Sequence, residues 1–283
     1  MMNDKRITIN DKRFAINGER LLGNDNRPVS LAGCLAALLL LLFLSGCDRR
    51  ELTYYSTAEI RINADWSQAN LDYEKKYGAT VVFYPRDGGE PMIVLMGDRT
   101  SETARLQEGT YDAVLFNRSF YDFSNLLFRG HETLETFEAY AARMETRIAD
   151  QPYGTRSVIT GNPEKIAAAV IRDIEVTEDM LGNYDNASLT RKASGQLNFI
   201  PRELTRTLHV KLNINGVSNI RSAKCVISGV PSSLFLHDGS PGDAGHSQEF
   251  TLGDPVLHAG SFTDGYQETT VNVFGFDKNV PHK

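Results

Sequence analysis

The chain has 283 residues, 41% of them hydrophobic and 23% charged, and a formal net charge of −6. Nothing in that acidic balance provides the clustered Lys and Arg that a nucleic-acid-binding surface needs.

In chain order, the first distinctive segment is residues 31–44, LAGCLAALLLLLFL, fourteen residues without a charge. Before it stand six basic side chains (Lys5, Arg6, Lys12, Arg13, Arg20, Arg27) against four acids. After it come the small residues Ser45 and Gly46, then Cys47. A basic region, a short apolar core and a small-residue site form the layout of a secretory signal. A membrane-spanning helix needs ~20 apolar residues, so this run is too short to span comfortably. Leu44-Ser45-Gly46-Cys47 resembles the lipobox of bacterial lipoproteins. That resemblance implies cleavage between Gly46 and Cys47 and a diacylglycerol on the Cys47 thiol. The string Leu31-Ala32-Gly33-Cys34 precedes the apolar core and is discounted. A buried apolar helix with an incidental cysteine is the plainer alternative. It fits poorly with a run so near the N-terminus that breaks into Asp48-Arg49-Arg50-Glu51. The basic region is longer than a signal usually has, which leaves the true start open.

Residues 1–46 are therefore read as a lipoprotein signal peptide and 47–55 as a lipidated tether. Removing the signal takes away six basic and four acidic groups and leaves 237 residues with a net charge near −8. That length suits one large domain or two of ordinary size. Only Cys47 and Cys225 remain, so a disulfide framework is excluded.

Apolar alternation with period two recurs through this portion. Ile60, Ile62, Ala64 and Trp66 share one face of a predicted strand. A near-continuous run, residues 80–84, ends at Pro85; Asp87-Gly88-Gly89 follows, then residues 92–96. The two runs predict a hairpin. Further strands are predicted at 104–106 and 110–117, with a turn at Glu108-Gly109. Residues 133–147 are richer in helix formers and read as a short helix or loop excursion. Gly161-Asn162-Pro163 reads as the linker. After it, residues 164–171 suit either a helical turn opened by Pro163 or an edge strand. Leu208, Val210, Leu212 and Ile214 alternate again, and Asn215-Gly216 carries a type I′ turn signature. Strands follow at 223–228, 249–252 and 269–276. A strand so late in the chain leaves open a truncated C-terminus or a sheet with one position unfilled. The predicted fold class is all-β, two tandem β-sandwiches over 56–155 and 160–283.

Chemistry is sparse. The six histidines make no HxH, HExxH or Cys/His pair, so no metal site and no cofactor are predicted. No GxSxG, GxxxxGK[ST] or GxGxxG occurs, and no catalytic residue is assigned. His237, Asp243 and His246 form the densest polar cluster, in a Gly/Pro-rich stretch that reads more simply as a surface loop. His209 falls on the polar face of its strand, and Cys225 reads as a small core residue. Tyr54, Tyr55, Trp66, Phe120, Tyr121 and Phe123 offer rings for a sugar platform, although Trp66 is in phase with core positions.

Several strings together carry a family resemblance. They are Arg50-Glu51-Leu52 after the lipobox, a strand ending in Asp65-Trp66, Val82-Phe83-Tyr84-Pro85, and the pattern Leu106-x-x-Gly109-x-Tyr111 running to Asn117. Val210-Lys211-Leu212, Gly216-Val217 and Ile227-Ser228-Gly229 add to them. The chain is similar to the fimbrillin-like, fimbria-anchoring lipoproteins of Bacteroidales. That resemblance implies transthyretin-like sandwiches, outer-membrane localisation facing the periplasm or the surface, and a role as anchor or accessory subunit. It implies a membrane partner through the lipid on Cys47 and fimbrial subunits as partners by β-strand exchange. The alternative reading is a surface glycan-binding lipoprotein.

Overall fold

The computed structural model describes residues 54–71, 77–144, 159–185, 193–242 and 245–276. All of them fall in one compact unit, Tyr54–Lys283. Among the described residues there is no α-helix, only strands and short 3-10 turns. The strands of the first half are β1 (Ala58–Ala64), β2 (Ala79–Pro85), β3 (Met92–Met96), β4 (Ser101–Leu106), β5 (Gly109–Asn117), β6 (Leu126–Arg129) and β7 (Glu138–Ala141). Those that follow are β8 (Ile159–Thr160), β9 (Ala167–Val176), β10 (Gly195–Phe199), β11 (Arg202–Glu203), β12 (Arg206–Ile214), β13 (Lys224–Val230), β14 (Ser233–Phe235), β15 (His246–Thr251), β16 (Val256–Leu257) and β17 (Gly265–Val273).

The alternation of β1 works as its sequence predicts. Ala58, Ile60, Ile62 and Ala64 are buried, while Arg61 is exposed. β1 is the middle strand of the sheet β10-β1-β4. That sheet packs on one face of the five-stranded sheet β11-β9-β5-β2-β3. β2 and β3 form the expected hairpin, from Ala79 opposite Met96 to Phe83 opposite Met92. β2 lacks alternation because both of its faces are covered. Val81 and Phe83 enter the first core with Ala113, Leu115 and Phe199. Val82 and Tyr84 enter a second core with Val114, Phe116, Phe137 and Leu234. A continuous apolar run is the signature of such a two-sided strand. The second core lies beneath the three-stranded sheet β14-β7-β6.

The last two sheets, β12-β17-β16 and β13-β15-β8, make a smaller sandwich. Among the described residues its core holds Phe250, Leu252 and Val271 buried, with Leu208, Val210, Ala223, Cys225 and Ile227 partly buried against them.

Four sequence expectations change. Residues 138–141 form β7, paired on both sides by β6 and β14, where a helix or loop was expected. Tertiary pairing overrides helix propensity there. Residues 167–176 form β9, which is neither helical nor at an edge: β5 and β11 flank it. The predicted linker is pinned in place, since Asn162 Oδ1 accepts from Asn272 N at 2.8 Å and Asn272 Nδ2 donates to the Pro163 carbonyl at 3.1 Å. Asn215-Gly216 closes no hairpin. Gly216, at φ +74°, starts a 3-10 turn, and β12 pairs instead with β17. The sheets also run across the predicted boundary. β9, β10 and β11 complete the first sandwich, while β14 joins β6 and β7 from the other side. Many short strands with similar patterns leave such long-range partnerships undetermined in the sequence.

Candidate assembly edge and the start of the first strand

Cys47 and Gly46, the predicted lipidation and cleavage sites, lie outside the described residues. Tyr54 is exposed, and the contacts that hold the start of β1 begin at Tyr55. Tyr55 donates its hydroxyl to Asp185 and meets the Tyr184 ring edge-on at 5.9 Å. Its ring lies over Gly182, where a Cβ would come within 2.4 Å of it. Gly182 has φ +71°, a conformation glycine adopts without cost. Gly182 N donates to the Thr57 carbonyl at 2.9 Å. Asn183 accepts from Glu59 N and donates to the Glu59 carbonyl, both at 2.8 Å. The start of β1 is thus fastened by a turn more than 120 residues away in sequence.

The resemblance strings turn out to be structural joints. Asp65 accepts from Ser67 N and caps the 3-10 turn that follows β1. Trp66 is half-buried: its Nε1 donates to the Arg99 carbonyl at 2.8 Å, and the Arg99 guanidinium lies over its ring. Tyr111 donates its hydroxyl to the Gln107 carbonyl at 3.1 Å, a tyrosine corner where the chain crosses between sheets. Asn117 donates to the Lys165 carbonyl and accepts from Ala167 N, joining β5 to β9.

An open edge stands on the small sandwich. β12 pairs with β17 on one side, from Arg206 opposite Val273 to Ile214 opposite Gly265, and its other edge is unpaired among the described residues. On its outer face His209 and Lys211 reach Glu268, as the sequence anticipated for His209. On its inner face Leu208, Val210 and Ile214 are partly covered, and Leu212 is 41% exposed. A nine-residue edge with an apolar row beneath it offers both backbone hydrogen-bonding groups and side-chain seats to an added strand.

Of the polar cluster, residues 237–242 fold as a tight turn, and His246 opens β15. Asp238 accepts from Ser240 N at 2.8 Å and from its hydroxyl, Phe235 N donates to the Ser240 carbonyl, and Gly239 has φ +72°. Burial presses the Asp238 carboxyl upward, but the Ser240 hydrogen bonds and neighbouring His237 outweigh it and hold it below its ordinary value. Asp243 lies outside the described residues. Among those described, no three His, Cys, Asp or Glu side chains come together as a metal site. Burial raises the Cys225 thiol above its usual value, and the residue packs against the small core. The rings suggested for a sugar platform are dispersed. Phe123 is buried in the second core with Phe120 beside it, while Tyr54 and Tyr121 are 87% and 96% exposed. One buried group carried no signal in the residue pattern. Asp112, at a bulge between β5 and β9, accepts from Asp173 N at 3.0 Å and pairs with Arg86 at 3.0 Å.

Residues 46–251 match a family described as a domain of unknown function, DUF5119. The chain belongs to that family. The match begins at Gly46, immediately before Cys47, and ends with β15. No curated protein is matched. Among solved structures, the chain is similar to a candidate adhesin of Bacteroides ovatus, with 17% identity, a TM-score of 0.57, and 84% of this chain and 74% of that one covered. That likeness shows a shared fold. Fainter likenesses are to a candidate adhesin of Bacteroides thetaiotaomicron (11% identity, TM-score 0.49, 82% and 74% covered). Another is to the fimbrial anchor protein of Porphyromonas gingivalis (12% identity, TM-score 0.45, 80% and 76% covered). Among the described residues no helix is long and apolar enough to cross a membrane.

Proposed function

We propose that this chain is a non-catalytic cell-envelope protein, held at the outer membrane by a lipid on Cys47, that serves as an anchor or accessory subunit in fimbria assembly or adhesion. The observation that carries this reading is the β12 edge, unpaired among the described residues, with its half-covered apolar row. The fold shared with a candidate adhesin supports the same conclusion, and so does the lipobox at 44–47. In this reading a strand from a neighbouring fimbrial subunit adds to β12. Backbone hydrogen bonds supply the affinity, and the seats between Leu208, Val210 and Leu212 supply the specificity. A non-catalytic role is supported by the folding of the 237–242 segment into a self-contained turn.

The test is isolation of the protein from outer membranes after labelling with palmitate. The expected result is label on the wild type, none on Cys47→Ser, and fimbrial subunits co-purifying with the wild type. Leu212→Lys should abolish the co-purification with a stability change within about 0.5 kcal/mol, since the side chain is already largely at the surface. An unlabelled wild type overturns the anchoring, and unchanged co-purification by Leu212→Lys overturns the assignment of the edge.

A further inference from the structure

Within the two sheets of the first sandwich every pairing is antiparallel except that of β1 with β10. These two run parallel through five consecutive pairs, from Ile60 beside Gly195 to Ala64 beside Phe199. Asp65 N adds a further hydrogen bond to the Phe199 carbonyl at 2.9 Å, and Asn63 Nδ2 donates to Asn198 Oδ1 at 3.1 Å on the outer face. Parallel pairs need a long crossover and are slightly weaker per residue. The chain nevertheless brings these strands together across 135 positions.

Their places in the chain suggest what the pair does. β1 is the first strand after the tether, and its N-terminal end is where any pull from the tether arrives. β10 is followed at once by β11 and then by β12, so its C-terminal end leads to the small sandwich. Tension between the tether and the small sandwich would therefore draw β1 and β10 in opposite directions along their length. Two strands loaded this way must slide, and all the hydrogen bonds between them are strained together. Loaded from the same end, they would peel apart one bond at a time. The turn at 182–185 reinforces the loaded end, because Tyr55 and Thr57, just before β1, and Glu59, near its start, are fastened to it. That turn belongs to the same stretch of chain that becomes β10, and Asn183 Nδ2 also donates to the Ala193 carbonyl at 3.2 Å.

We propose that the β1–β10 pair is a shear clamp that carries tension between the N-terminal tether and the small sandwich; this rests on the reading of the chain as a tethered assembly subunit. Single-molecule pulling on the full chain, with Cys34, Cys47 and Cys225 replaced by Ser, provides the test. Handles on Tyr54→Cys and Ile200→Cys load the pair in sliding; handles on Tyr54→Cys and Ser194→Cys load it in peeling. All three positions are exposed. Tyr54→Cys with Arg202→Cys repeats the sliding geometry from a second exposed position, should Ile200→Cys fold poorly. Forced rupture reports the barrier to unfolding, so at equal loading rate the sliding geometries should break at a force at least about twice that of peeling. Equal or lower force in sliding overturns the clamp. Absence of lipid on Cys47 would overturn the anchoring but leave the force difference standing, so the two failures are distinguishable.

Discussion

Tyr111 shows how a single hydroxyl can hold two sheets in relation. β4 ends at Leu106 in one sheet and β5 begins at Gly109 in the other, and the bond to the Gln107 carbonyl closes the corner between them. Tyr111→Phe keeps the ring against Phe83 and loses only that bond, so it should lower unfolding free energy in urea by about 1 kcal/mol. Glu135 makes a different kind of contribution. Its hydrogen bond from Arg172 at 2.9 Å lowers the carboxyl below its ordinary 4.5, against a smaller opposing effect of burial. A depressed folded-state value means that the stabilisation is present above about 4.5 and is lost as pH falls through the lower folded value. Both side chains are well exposed, so the pair is worth less than about 0.5 kcal/mol. Denaturant titrations of Glu135→Gln should show that small deficit at pH 7 and none well below pH 4.5.

The turn at 178–185 is the element on which the start of β1 depends. Gly182 combines a left-handed backbone with a ring directly over it, and both features exclude a side chain. Gly182→Ala should cost about 1–3 kcal/mol from the backbone conformation alone, with the clash against Tyr55 in addition. The expected signature is a lower midpoint in chemical denaturation and freer exchange of the Glu59 amide, whose partner Asn183 would shift. A variant as stable as wild type would mean that Tyr55 has room to withdraw.

For the whole molecule, the contrast between the cores sets the order of opening. β2 and β5 are covered on both faces, whereas, among the described residues, β12 lies over a core of three buried residues and has a free edge. Opening free energy follows buried apolar contact. Hydrogen exchange should therefore be slowest for Val81–Phe83 and Ala113–Leu115 and faster by orders of magnitude along β12. Equal protection of β12 and β2 would contradict that order. Low local stability also suits a strand proposed to accept a partner, since the groups that bind must not be committed beforehand.

Local patterning determined a good deal of this molecule. The period-two alternation located β1 and β12, the unbroken run marked β2, and Asp87-Gly88-Gly89 placed the β2–β3 hairpin. The reason is that side-chain direction along a strand follows from its own residues. The lipid proposed on Cys47 rests on the sequence string 44–47 alone. Partnership was not legible. That β9 lies between β5 and β11, that residues 138–141 are a strand, and that β10 returns beside β1 depend on which faces find cover more than 30 residues away. The apolar row of β12 could be read from its residues, but its open edge could not, since an edge is defined by strands that pair elsewhere. Only the tertiary structure decides that, because burial of the whole chain selects the pairing among many strands of similar pattern.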